Sequence, residues 1–244
     1  MGWRDEPLSF QEELTLKKMN YTGPKPRNRG EFWDIYDKFL LNEGQDYHLE
    51  IDLYHMTSIN NLESILTRGL LSEYDIDKLQ LIPDHISNSE IVEKRMLKPV
   101  DGNSTLYHYA LLYFQPRNAM LYQIIHDHSV KQKIIILRFS YDVSNGGFFT
   151  TRHALKASEF YRLDAIKNKP LLTRNTSLIQ KNSWNGDEEA KSEMMAEALI
   201  FQKLGSECLR EIYYFDQNLL GKIRAILAQR TYVKISHDME MFFQ

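Results

Sequence analysis

Apolar residues recur along this chain with two periods. Residues 49–54, Leu-Glu-Ile-Asp-Leu-Tyr, alternate apolar and polar, which predicts a strand. Thr57 or Ser58 then caps a helix with Ile59, Leu62, Ile65 and Leu66 on one face, and Gly69 stops it. Residues 72–104 are polar and irregular, with a helix predicted over 89–96. Residues 111–114 and 134–139, the second apolar except for Arg138, read as buried strands. Gly146 and Gly147 break the chain, and Phe148 and Phe149 resume it. Residues 155–195 alternate helix signals with loops. A strand is predicted over 198–201, directly after Glu197, and others over 211–215 and 231–235 flank a helix at 219–229. Nearer the start, residues 22–30 form a break rich in Pro, Gly and basic residues. Phe32, Ile35, Tyr36, Phe39 and Leu40 come next at helical spacing, and Asn42 and Gly44 end that helix. The pattern is mixed, of the α+β class, with a partly helical extension at 1–48 and one domain at 49–244.

Composition narrows this picture. The chain has 244 residues, 43% of them apolar and 26% charged, enough for one large soluble domain plus an appendage. No apolar run is long enough to cross a bilayer, so no membrane association is expected. Arg4, Asp5, Glu6, Glu12 and Glu13 make the first residues unlike a signal peptide. Cys208 is the single cysteine, which excludes an intrachain disulfide and suits a reducing cytoplasm. The net charge of -3 argues against a surface that coats duplex DNA, but not against a local groove for a few nucleotides.

Several residues carry candidate chemistry. His55 and Thr57, two apart on a strand, share one face and could serve a ribose or an amide. Taken alone, such a histidine is more often structural. Glu197, at the mouth of an apolar strand, could steer a sugar on which positive charge builds, or merely end the strand. Arg95 could clamp a pyrophosphate or lie on an exposed helix face. Thr150, Thr151, Arg152 and His153 come after the glycine break and fit a binding loop or a helix cap. A Rossmann fingerprint and a Walker phosphate loop are both missing. His126, Asp127 and His128 lack a second ligand cluster, so no metal is expected.

Taken together and in order, these pieces resemble the DarT ADP-ribosyltransferases. The family's Y-H-x-T strand end corresponds to Tyr54, His55 and Thr57, and its N-L-x-x-I-L helix closed by Gly to Asn61, Leu62, Ile65, Leu66 and Gly69. A segment at Glu93-Lys94-Arg95 comes after it. The family's T-L-H-D-Y-V-P-F-Y-F-x-P-R-x-P-M-L-Y run corresponds to residues 105–122, its F-T-D-x-H-A to 149–154, and its A-E-A-L-I to 196–200. The resemblance covers about residues 51–243. It departs where His108 replaces an Asp, where Ala110, Leu111 and Leu112 replace V-P-F, and where Thr151 replaces an Asp. About 50 N-terminal residues have no counterpart.

The resemblance implies an ADP-ribosyltransferase fold, two packed antiparallel-rich sheets with surrounding helices. It implies a toxin that transfers ADP-ribose from the co-substrate NAD to a nucleic-acid base. Glu197 and Arg95 would be catalytic. His55, Met56, Thr57, Arg95, Tyr113 and Met120 would bind NAD, and Thr151, Arg152 and His153 the acceptor. The acceptor would be single-stranded nucleic acid, DNA ahead of RNA, because an unpaired base offers its edge at no unpairing cost. Lys156, Arg162, Lys167, Lys169, Arg174 and Lys181, with Phe160 and Tyr161 among them, fall in the segment that would present it. An antitoxin partner would be a macrodomain hydrolase or a tight-binding blocker. The same chemistry on RNA and a non-catalytic NAD-binding module are the alternatives.

Overall fold

The computed structural model describes residues 5–8, 12, 13, 16, 21–32, 34, 35, 50–86, 89–126, 128–168, 183–228 and 230–243. The chain forms two compact units, Met1–His48 and Leu49–Gln244. In the first, residues 29–32, 34 and 35 are helical, and Phe32 is buried. Arg29 donates from Nε to Glu12 at 3.1 Å and from Nη1 to Glu6 at 2.9 Å. Tyr36, Phe39, Leu40, Asn42 and Gly44, expected to continue and end that helix, lie outside the described residues.

The second unit is built on β1 (Glu50–Ser58), which runs four residues beyond the predicted strand. The extension puts Thr57 within the strand. Ser58 alone acts as the cap, accepting from the backbone N–H of Asn60 at the start of a 3-10 turn. Helix α1 (Leu62–Arg68) buries Leu62, Ile65 and Leu66, as their spacing predicts. It ends at Gly69, where φ is +88° and a Cβ would meet the Leu204 carbonyl oxygen at 2.5 Å, so only glycine fits.

Around β1 the sheet grows by antiparallel pairing. β4 (Ile134–Asp142) lies on one side in unbroken register from Glu50↔Asp142 to Ser58↔Ile134. β3 (Tyr109–Tyr113) lies on the other. With β2 (Leu70–Leu71), β5 (Phe148–Phe149), β6 (Tyr161–Arg162), β7 (Glu197–Phe201), β8 (Lys203–Leu204), β9 (Leu209–Tyr214) and β10 (Lys234–Ser236), the eight-stranded order is β10-β9-β4-β1-β3-β7-β5-β6. Among the described strands, only β9 and β10 pair in parallel. β2 and β8 make the second sheet, so the two expected sheets are very unequal in size.

Ile134, Ile135, Ile136 and Leu137 of β4 have no exposed surface. Ile135 and Leu137 pack with α1 and with the helix Leu219–Leu227, whereas Ile134 and Ile136 pack with Leu121, Ile124 and Ile125. A central strand covered on both faces has no polar face, which explains an apolar run rather than alternation. Those last three residues belong to a helix Ala119–His126 that was not expected from the sequence. Its signals were present: their spacing, and Asn118, whose side-chain oxygen accepts from the Met120 and Leu121 N–H groups. The polar stretch 72–104 likewise holds two helices, Glu73–Lys78, capped by Ser72, and the predicted one at Ser89–Leu97. Among the described residues no helix is long and apolar enough to cross a membrane.

Candidate active site

Three adjacent strands set the site. In the register β1-β3-β7, Tyr54 faces Tyr113 and Tyr113 faces Glu197, so residues distant in sequence stand side by side. Glu197 is the first residue of β7, not the residue before it, and is fully buried. Its backbone is tied to Thr150: the Thr150 N–H donates to the Glu197 carbonyl at 2.9 Å, and the Glu197 N–H to the Thr150 hydroxyl at 3.2 Å. The Thr150 hydroxyl donates to the Arg152 carbonyl at 2.6 Å, which shapes the turn that brings Ala154 round. Ala154 N–H then donates to Glu197 Oε1 at 2.9 Å. Oε2 faces Arg95 Nη2 at 3.5 Å, across 102 residues of sequence.

Arg95 projects from the helix Ser89–Leu97, its side chain 13% exposed. Burial opposes its charge, but Glu197 and Tyr113 outweigh that and raise its pKa. Its Nε is buried and has no hydrogen-bond partner among the described residues. Such an orphan donor costs stability unless an incoming acceptor satisfies it. Tyr113 donates its hydroxyl to the Met120 sulfur at 3.0 Å. Burial, reinforced by Glu197, holds that hydroxyl protonated well above its ordinary range.

His55 lies on the same sheet. Its Nδ1 is 3.2 Å from the Leu111 carbonyl, which can only accept, so Nδ1 carries the hydrogen. Burial, aided by Arg95 and opposed by that bond, lowers its pKa to about 4. His55 is therefore neutral, with Nε2 an acceptor. His153 is also held below its ordinary value, by burial first and against the pull of Glu197. Its Nε2 is 3.9 Å from Glu197 Oε1.

A cavity of about 360 Å³ opens beside this group. His55, Met56, Thr57, Arg95, Tyr113 and Met120, the six expected cofactor contacts, all line it. Glu197, Thr151, Arg152 and His153 do not, and Arg95 joins the two sets. Arg152 leans towards Glu189 at 3.8 Å, and both are well exposed. Arg162 is paired with Asp164 at 2.9 Å, and the Tyr161 ring packs on Phe149 at 5.4 Å. The Arg162 side chain is still 71% exposed. Lys156 is exposed. The Lys167 side chain, Lys169, Arg174 and Lys181 lie outside the described residues. His108, one of the departures, stacks on Tyr74 at 4.8 Å, at the far end of β3 from Glu197.

Sequence reasoning missed one part of the cavity wall. Asp84 accepts from Ser58 Oγ at 2.7 Å, from Asn60 Nδ2 at 2.8 Å and from Lys133 Nζ at 2.7 Å. Lys133 and Ser58, outweighing burial, lower the Asp84 pKa to about 2. Asn61 adds a reciprocal pair to the Asp84 backbone and donates to Thr57 Oγ1 at 3.0 Å. This clamp fastens residues 81–86, which line the cavity, to the end of β1. No motif announces it, because its members are spread widely along the chain, from Ser58 to Lys133. Among the described residues no cluster of His, Cys, Asp and Glu could hold a metal ion.

Comparison with known proteins gives this geometry a family. A fusion protein of Thermosipho africanus, named as a DNA ADP-ribosyl transferase joined to a DNA ADP-ribosyl glycohydrolase, is 28% identical over 196 residues. The match covers 79% of this chain and 49% of the fusion, so the chain spans about half the length of that relative. A DNA ADP-ribosyl transferase of Thermus aquaticus is 28% identical over 208 residues, covering 78% of this chain and 86% of the relative. The solved structure of Thermosipho africanus DarTG with ADP-ribose superposes with a TM-score of 0.70 at 26% identity, over 79% of this chain and 51% of that one. The family model described as "ssDNA thymidine ADP-ribosyltransferase, DarT" matches residues 54–243, which takes in both the strands that build the site and the residues that fill it: the chain belongs to the DarT family.

Proposed function

We propose that this chain transfers ADP-ribose from NAD to the thymine base of single-stranded DNA and releases nicotinamide. The observation that carries the reading is the buried Glu197, fixed by the Ala154 N–H and by Arg95 at the edge of a cavity lined by His55, Thr57, Tyr113 and Met120. Membership of a family described by this reaction supports the same reading.

Each group has a task that its surroundings suit. The neutral His55 offers Nε2 as an acceptor to a ribose hydroxyl or an amide. Arg95 has a donor to spare in Nε, which fits a phosphate or a ribose oxygen. Glu197, shielded from water, stabilises the positive charge that builds on the ribose as nicotinamide leaves. A preorganised charge is most effective where solvent is excluded. Met56 and Met120 supply apolar wall, and Arg152 and Thr151 border the acceptor side. An unpaired strand suits the chain's net charge of -3, which offers no broad basic track for a duplex.

We further infer a toxin role with a paired antidote. The Thermosipho relative carries a DNA ADP-ribosyl glycohydrolase in the same polypeptide. A hydrolase of that class, able to remove the modification, is the partner expected here. The single, half-buried Cys208 suits a reducing cytoplasm. Incubation with NAD and matched single-stranded DNA, duplex DNA and RNA oligomers, read by mass, tests the function. Addition of ADP-ribose to thymidine-containing single strands is expected. Modification of RNA alone, or of protein side chains with every oligomer untouched, overturns it.

A further inference from the structure

Transfer to a thymine base releases a proton that needs an acceptor. A thymine within a nucleotide has one ring N–H, at N3, and that nitrogen must lose its proton to bond the sugar. Glu197 is poorly placed to take it, because Oε1 already accepts from Ala154 and Oε2 faces Arg95. Arg95 cannot take it, because a guanidinium stays protonated in proteins. His55 lines the cavity and is tied through Nδ1 to Leu111. His153 differs from all three. It lies outside the cavity lining and stands beside Glu197 without a hydrogen bond to it, with Nε2 3.9 Å from Oε1. Its side chain is 14% exposed, open enough to be reached yet shielded from bulk water. Its backbone is locked by the His153 N–H bond to Ser192 O at 2.8 Å.

We propose that His153, resting on the transferase reading above, is the general base that removes the N3 proton of the acceptor thymine. In the step, N3 forms a bond to C1′ of the nicotinamide ribose. The bond from C1′ to nicotinamide breaks, and its electron pair neutralises the departing ring. The N3 proton passes to a ring nitrogen of His153, which becomes imidazolium and later gives the proton to water. Glu197 beside it stabilises that imidazolium, so one carboxyl group serves the sugar and the base in turn. The groups that face His153 are Glu197 from β7, Arg95 from the helix Ser89–Leu97 and Lys156 from its own turn. The two cations and burial favour the neutral imidazole, which is the form that accepts a proton.

The test is the pH dependence of single-turnover transfer to a thymidine-containing strand, for the parent, His153→Gln and His153→Ala. The parent rate should rise with pH as His153 deprotonates and then level. His153→Gln should bind NAD as the parent does and transfer about 100-fold more slowly near pH 7. Its rate should climb tenfold per pH unit as free thymine N3 ionises, closing on the parent in alkali. Added imidazole should restore part of the rate to His153→Ala. A parent rate with no acid limb overturns the assignment, and that outcome does not depend on any variant folding. So does a variant slowed by the same factor at every pH with no imidazole rescue, which is the mark of a positioning role. If the parent modifies no DNA at any pH, the transferase reading itself falls and takes this one with it.

Discussion

Replacing Glu197 by Gln is the sharpest perturbation of the site. The change keeps the shape of a side chain with no exposed surface. A glutamine oxygen can still accept from Ala154, where Oε1 does at 2.9 Å. Its NH2 would then face Arg95 Nη2, now 3.5 Å from Oε2, and two donors would meet. Deleting one partner of a buried ion pair costs about 3–5 kcal/mol. Arg95 opens towards the cavity and is 13% exposed, so water offsets part of that. The net loss is then about 1–3 kcal/mol, a fall in Tm of roughly 2–12 °C for a chain of this size. The effect on chemistry is larger. The variant has no negative charge to set against the cationic sugar, and loss of one such group costs about 100-fold or more in rate. NAD binding should change little, because Glu197 does not line the cavity. Transfer is read by mass on a thymidine-containing strand, NAD affinity by calorimetry and stability by thermal unfolding. Transfer within a few-fold of the parent, on a folded variant that binds NAD, would refute the argument that this charge drives the reaction.

Three further outcomes are expected. The fold holds the His55 pKa near 4, below the ordinary value of 6.5, so its contribution is complete above pH 6.5 and is lost as pH falls towards 4. About 3 kcal/mol should disappear over that window, and urea unfolding of His55→Asn should lack that share; an identical slope in both proteins would show that His55 is not held neutral. Asp84→Ala removes the clamp on the cavity wall and should cost about 2–3 kcal/mol and raise KM for NAD about tenfold with kcat little changed, whereas unaltered KM and Tm would mean that the wall does not matter. Cleavage of the chain within the Pro- and Gly-rich residues 22–30 should precede any cut in the second unit, and a fragment starting at residue 49 should fold and bind NAD; an insoluble fragment would make the N-terminal residues part of the same fold.

Much of this protein was legible in its sequence, and the legible part is local. Alternation gave β1, spacing gave α1, and Gly69 gave its end, because each depends on neighbours within one turn or one strand. The residues around the site could be picked out because short motifs occur in a fixed order, although any one of them is weak. The features that the sequence did not reveal depend on contacts made at long range. The apolar run at 134–137 gives no sign of which strands flank it; the partners are chosen by register across the sheet. Arg95 and Glu197 are 102 residues apart and meet only because β3 and β7 pair beside the helix that carries Arg95. The Asp84 clamp and the Ala154 N–H are equally invisible in a linear reading, since a backbone donor has no residue type and an aspartate in a polar loop looks like any other. Thr151 drew notice as a departure from the family, but the hydroxyl that ties the turn to Glu197 is that of Thr150, chosen by which of two adjacent side chains points inward. The sequence determined the elements and the cast of chemical groups. Only the tertiary structure decided which groups touch, because burial, register and orientation are properties of the assembled sheet and not of any segment in it.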